Sequence, residues 1–259
     1  MPSNAAIHPP QRLPQRTLAI LAFHKIGPAP DDWETWFYIP QSIFLGHLRH
    51  LREAGWQVIN AATLLRGLSE PECLPERSAV ITFDDGYRSL LDYGLPELEE
   101  FGFPAILFIP TGYIGGYNRF DADNEPEERV CGWADLRELE RRGVSVQSHS
   151  VTHRRFSELS PAEQSEELTR SRWVLEDGLG KPVEVFSYPE GDCGEDSDAA
   201  RVAARAAGYT AACLYGGEPE HLPGADPYRL QRLAMGPDTD LAAELQTRKP
   251  VASRGRGGD

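Results

Sequence analysis

Two adjacent carboxylates, Asp84 and Asp85, stand in Thr82-Phe83-Asp84-Asp85-Gly86, where an apolar run meets a glycine. Neighbouring acids raise each other's cost of ionising unless a cation is close, so the pair asks for a metal or an arginine. Further along, His149-Ser150-Val151-Thr152-His153 supplies two imidazoles, again just after an apolar run. One aspartate and two histidines at strand ends can hold a metal and leave positions open for water and substrate. That is the plan of a hydrolase. An isolated His-x-x-x-His is equally compatible with loop histidines bonded to backbone, and Asp84 alone could be a helix N-cap. The two motifs together favour the metal.

The elements that must position these groups are short. Apolar runs rich in Val, Ile, Leu and Phe predict strands over 18–23, 56–60, 79–83, 105–109, 144–147, 183–187, 210–214 and 229–234. Helical patterns fit between them over 41–54, 87–101, 133–142, 161–177 and 198–207, with Pro96 expected to break or restart the second. Ser160-Pro161-Ala162-Glu163 is a capping box with proline at the first helical position. Strand–helix alternation implies a parallel sheet, at this length a closed or nearly closed β/α barrel, with an open doubly wound sheet as the alternative. No Gly-x-Gly-x-x-Gly or phosphate-loop pattern follows any strand, which weakens nucleotide-binding versions of the open sheet. The segment 110–132 has no clear pattern and reads as a rim or lid, or as a solvated insertion. The acids at 97–100 and 125–128 read as solvated faces.

The 259 residues suffice for one large domain, and 40% hydrophobic with 25% charged residues is ordinary for a globular protein. A formal net charge of -14 argues against a nucleic-acid partner. Cys73, Cys131, Cys193 and Cys213 lack zinc-knuckle spacing and read as free thiols in a reducing compartment. No run is long enough to span a membrane, and no signal peptide is evident, so a cytoplasmic location is expected. A flexible leader over 1–16, one barrel domain over 17–247 and a disordered tail over 248–259 complete the expected layout.

The two motifs, with Tyr188-Pro189-Glu190-Gly191 after a later strand, resemble the polysaccharide deacetylase family, the carbohydrate esterase family 4 or NodB-homology domain. The resemblance implies an α/β fold, a distorted (β/α)7 barrel in a single domain. It also implies a divalent metal, most often zinc, and hydrolysis of N-acetyl groups on a carbohydrate substrate. By resemblance Asp85, His149 and His153 bind the metal and Asp84 is the general base. The Glu190 backbone N–H holds the oxyanion. The family's third-motif arginine is absent, Ser187 standing in its place, and Arg232 is the residue expected to reach in instead. The family's Leu-x-His is also absent near the C-terminus, where His221 does not fit. Leu21-Ala22-Phe23-His24 resembles the permuted arrangement of the poly-N-acetylglucosamine branch, which makes His24 the acid that protonates the leaving amine. Trp33, Trp36, Phe37, Tyr38, Tyr113 and Tyr117 either shape a sugar groove or cover the barrel end. Trp133 and Trp173 read as core. The same centre is compatible with an O-acetyl esterase or a non-sugar amidase, and a catalytically silent carbohydrate-binding barrel is a third reading.

Overall fold

The apolar runs become strands because their side chains find cover on both faces. The structure, a computed structural model, describes residues 15–30, 33 and 35–246. In chain order the described elements are β1 (Arg16–Phe23), β2 (Lys25–Ile26), β3 (Tyr38–Ile39), α1 (Gln41–Glu53), β4 (Gln57–Val58), α2 (Ala61–Ser69), β5 (Arg77–Phe83), α3 (Leu95–Phe101), β6 (Ala105–Ile109), α4 (Trp133–Arg141), β7 (Val144–Ser148), α5 (Pro161–Leu179), β8 (Val185–Ser187), α6 (Ser197–Ala206), β9 (Ala211–Cys213), β10 (Glu220–Leu222), β11 (Leu233–Ala234) and α7 (Leu241–Glu244). The expected leader and tail lie outside the described residues, except Gln15 and Arg16, and Arg16 already opens β1.

The main sheet runs β10-β1-β5-β6-β7-β8-β9, with β11 on β1 and β4 on β5. A bridge from Cys213 to Leu230 and the parallel pairing of β11 with β1 carry the sheet back to its start. The strands β1, β5, β6, β7, β8, β9 and β11 thus form the expected distorted barrel. The distortion has a visible cause. On one side, β5 pairs with β4 through Ser78 and Ala79, then with β6 through Thr82 and Phe83. Likewise β1 pairs antiparallel with β10 near Arg16, then with β11 at Leu21 and Ala22. The ring therefore closes at the C-terminal ends of the strands and splays at the other end.

Alternation along the strands sorts side chains into two cores. Ala19, Leu21, Phe23, Ile81 and Phe83 pack outward against Phe44, Leu48, Leu95, Leu136 and Leu168 of the helices. Leu18, Ile20, Val80, Ile106 and Phe108 pack inward, where Ala61 and Leu64 of α2 join them. Helix α2 has no counterpart in the expected list. Asn60 caps it by accepting from the Thr63 N–H at 2.9 Å, while Gly67 dilutes its helical pattern. Glycine is needed there, since a Cβ would lie 2.4 Å from Leu74. The capping box at Ser160 and Glu163 forms as expected. Before Pro96 the backbone makes a wide π turn over Leu90–Gly94, and α3 restarts at Leu95. Trp173 is a correction: it is 64% exposed, because α5 buries Leu168, Ser171 and Leu175, and position 173 lies off that face. Trp133 packs against the outer core as expected.

Phe23 lies between Phe44 at 5.2 Å and Phe83 at 5.6 Å, directly before His24. Phe23→Ala should lower the unfolding free energy by about 3–5 kcal/mol, read by urea titration.

Candidate active site and metal centre

The residues singled out by type converge at the closed rim. Asp84 continues the β5 ladder, its N–H donating to the Phe23 carbonyl at 2.9 Å. His149 follows β7, with its N–H on the Ile109 carbonyl at 3.1 Å. A cavity of about 400 Å³ is lined by His24, Asp84, Asp85, His149, His153 and Glu190. It is also lined by Lys25, Phe37, Tyr87, Phe120, Asp121, Asn124, Glu125, Arg155 and Tyr215.

Asp85, His149 and His153 bring one ligand atom each to within 4.8 Å of one another, the one such group found among the described residues. Asp85 Oδ1 lies 3.1 Å from His153 Nε2 and 3.5 Å from His149 Nε2. His149 Nδ1 sits 2.7 Å from the Ser187 carbonyl. A carbonyl only accepts, so Nδ1 carries the hydrogen and Nε2 keeps its lone pair. Burial pushes the His149 imidazole down to about 4, which keeps it neutral. Its lone pair therefore faces a carboxylate oxygen. Asp85 Oδ1 is buried and makes no hydrogen bond of acceptable geometry, despite the proximity of His153. A divalent cation satisfies all three atoms at once, and the donor set suits one.

The backbone is strained at this point. Asp85 (φ 69), Ser150 (φ 68), His153 (φ 61) and Glu190 (φ 55) are the non-glycine residues of the described chain at positive φ. Each sits in or beside the centre, where surrounding contacts must hold it against strain of about 1–3 kcal/mol. Glu167 of α5 supplies part of that hold. Its carboxylate accepts from the Val151 and Thr152 N–H groups at 2.6 and 2.9 Å and from the Thr152 hydroxyl at 2.7 Å. The Phe120 ring covers His153, 4.4 Å between centroids.

Asp84 is 2% exposed and paired with Arg232, which is fully buried. Both terminal guanidinium nitrogens donate to its carboxylate at 2.7 Å. Arg232 also donates to Leu214 O at 2.7 Å, Thr82 Oγ1 at 3.1 Å and Ser187 Oγ at 2.8 Å. All the N–H bonds of the guanidinium are used. Burial would raise the Asp84 pKa, but Arg232, with His149 and His24, more than offsets it and holds the group below its ordinary value. Ser187, where the resemblance leads one to expect an arginine, is small enough to admit Arg232 from the last strand and accepts one of its bonds.

His24 follows β1; its ring lies 4.6 Å from that of Phe37, tilted, and 5.4 Å from that of Tyr215, edge-on. Burial lowers its pKa; Asp85 and Asp84 oppose this, Arg232 and Lys25 reinforce it, and the balance is downward. His24 Nδ1 has no hydrogen-bond partner. His221 pairs with Thr17, at the opposite end of β1, in agreement with its exclusion. Glu190 lies in the 189–191 turn, and its carboxylate accepts from Arg155 Nε at 2.7 Å.

Several participants were not legible as such. Glu125 is 5% exposed, not solvated. It accepts from Lys25 Nζ at 2.6 Å and from the Thr35 hydroxyl. Lys25 is itself buried, 4.6 Å from the ring centres of Tyr38 and Tyr87. The 110–132 segment is thereby tied to the strand that carries His24. Of the six candidate groove aromatics only Phe37 lines the cavity. Trp33, Trp36 and Tyr38 line a separate depression, and Tyr113 packs on Phe120 at 4.8 Å. The rings that do line the cavity beside Phe37 are Tyr87, Phe120 and Tyr215, none of which the sequence singled out.

Removing Arg232 would strand a buried charge. Arg232→Ala should cost about 3–5 kcal/mol of stability, measured by urea titration of the metal-free protein.

Comparison with known proteins identifies the family and the fold. The model of the family described as polysaccharide deacetylase matches residues 72–212. The chain is 24% identical over 180 residues to YxkH of Bacillus subtilis, covering 70% of this chain and 59% of that protein. It is 27% identical over 146 residues to the poly-beta-1,6-N-acetyl-D-glucosamine N-deacetylase of Escherichia coli, covering 54% of this chain and 21% of that protein. Thus the chain spans less than two thirds of either relative. The fold is shared with the deacetylase PplD of Streptococcus pyogenes, at a TM-score of 0.76 and 20% identity over 90% of this chain and 99% of that one. It is shared also with IcaB of Ammonifex degensii, at a TM-score of 0.74 and 22% identity over 86% of this chain and 93% of that one. With the family signature covering more than half of its length, the protein belongs to the polysaccharide deacetylase family.

Proposed function

We propose that the protein is a metal-dependent carbohydrate N-deacetylase, releasing acetate from an N-acetylated sugar and leaving a free amine. One observation carries this reading: the Asp85, His149 and His153 cluster opens on the same cavity as Asp84 and His24. The relatives' family and the name of the Escherichia coli protein support the substrate class.

Asp85, His149 and His153 would hold the cation, and one carboxylate with two neutral imidazoles favours zinc. Such a cation supplies Lewis acidity, acidifying water and polarising the acetyl carbonyl. Asp84 takes the proton of the attacking water. Its two oxygens spend one lone pair each on Arg232 and keep the others for that proton. Arg232 fixes the carboxylate plane and keeps it ionised. The Glu190 N–H holds the oxygen that gains charge, a role independent of side-chain identity. His24 gives the nitrogen its proton. The downward balance of its pKa makes the resting ring neutral, so it must first be loaded. The proton that Asp84 takes from the water passes to His24 across the cavity they share, and His24 hands that one proton to the nitrogen.

The test is acetate release from N-acetylated and O-acetylated sugars in parallel, with zinc and with chelator. Zinc-dependent release from the N-acetylated sugar is expected. Asp84→Asn and His24→Ala should each keep their zinc, measured by elemental analysis. Each should lose about 10²–10⁴-fold in turnover. Faster release from the O-acetylated sugar, or equal release under chelator, would refute the assignment.

A further inference from the structure

Among the described residues, three buried polar atoms of the cavity lack a hydrogen-bond partner: Asp85 Oδ1, His24 Nδ1 and the Tyr215 hydroxyl. Buried orphans are rare in native proteins, and each leaves a desolvation penalty uncompensated. The first is accounted for by a cation and the second by the leaving nitrogen. The third has no role in the mechanism above. A phenol is both donor and acceptor, and buried in a cavity with no protein partner it is completed only by what enters that cavity.

Tyr215 is placed rigidly. It follows β9, and the next residue, Gly216, bridges to Arg232. Its ring stands edge-on to His24 at 5.4 Å, with the Arg232 guanidinium 5.8 Å from its centre. The 189–191 turn lies flush against it. A Cβ on Gly191, at φ +73, would meet Tyr215 N at 2.5 Å and its Cβ at 2.8 Å. The turn that offers the Glu190 N–H and the residue that offers the phenol are therefore in backbone contact.

We propose that the Tyr215 hydroxyl is a second oxyanion donor, giving its hydrogen bond to the acetyl carbonyl oxygen beside the Glu190 N–H. This rests on the deacetylase reading above. The three orphans then coincide with the three places where the reaction changes charge: the cation, the leaving nitrogen and the carbonyl oxygen. A donor shielded from water is worth most where charge develops, because no solvent must reorganise around it. The assignment goes to the acyl group and not to a sugar hydroxyl because Tyr215 has its ring edge-on to His24 and its backbone against the 189–191 turn. Those groups serve the scissile amide.

Tyr215→Phe removes the oxygen alone and tests this. Loss of about 10²–10³-fold in kcat with KM nearly unchanged is expected on an N-acetylated sugar. Zinc content and the urea midpoint should match the parent, since no protein hydrogen bond is lost. A raised KM with unchanged kcat would overturn the proposal in favour of a sugar-hydroxyl contact. A fall in the urea midpoint would overturn it by revealing a structural partner. Acetate titrated into the zinc-loaded protein, followed by the imidazole proton resonances, gives an arm that needs no turnover. The Tyr215→Phe protein should bind acetate severalfold more weakly, and equal binding would overturn the proposal. If the parent binds acetate through Tyr215 yet hydrolyses no N-acetylated sugar, the deacetylase reading fails and the donor assignment stands.

Discussion

The Asp84–Arg232 pair is the interaction on which the rest depends. Two charges are taken out of water at the seam where the last strand closes the barrel. Such burial is expensive and is tolerated only when every donor finds an acceptor. Here it does: Arg232 joins β5 through Thr82 and Asp84, β8 through Ser187, and the end of β9 through Leu214. Closure of the ring and ionisation of the carboxylate are thus one event. The barrel can splay at its other end without disturbing the site, because the bonds that matter lie at the closed rim.

Around that seam, second contacts hold strained first ones. Four non-glycine residues at positive φ would relax elsewhere in a loop. Glu167 pins the turn between His149 and His153 from helix α5, and Ser187 uses its carbonyl to set the His149 tautomer. Lys25 and Glu125 do the same for the covering segment. Their ion pair is enclosed by Tyr38 and Tyr87, so it works as a fixed strut and not as a screened surface contact. The Phe120 ring that covers His153 is carried on that segment.

The Asp85, His149 and His153 cluster was readable because its members come as short local motifs at strand ends. Asp84 and Asp85 are adjacent, and His149 and His153 share one turn. Composition misled where burial is decided by distant partners. Glu125 sits in an acidic run that reads as a solvated face, yet Lys25, a hundred residues earlier, draws it inside. Trp173 reads as core by residue type alone, while the phase of α5 turns it outward. Helix α2 hides its pattern behind Gly67, which the fold needs for close approach to Leu74.

By itself the sequence determined the strand–helix alternation, the barrel class, the carboxylate and imidazole motifs and the family they resemble, since these depend on periodicity and near neighbours. Only the tertiary structure decided that Arg232, expected from the family resemblance, does brace Asp84, and what covers the cavity and which aromatic rings line it. Arg232 stands 148 residues from its partner. No local pattern encodes a pairing of that separation, because it exists only once the ring has closed and the pair has left water. Tyr215 belongs to the same class: a tyrosine after a short strand is unremarkable until the fold buries its hydroxyl without a hydrogen-bond partner among the described residues.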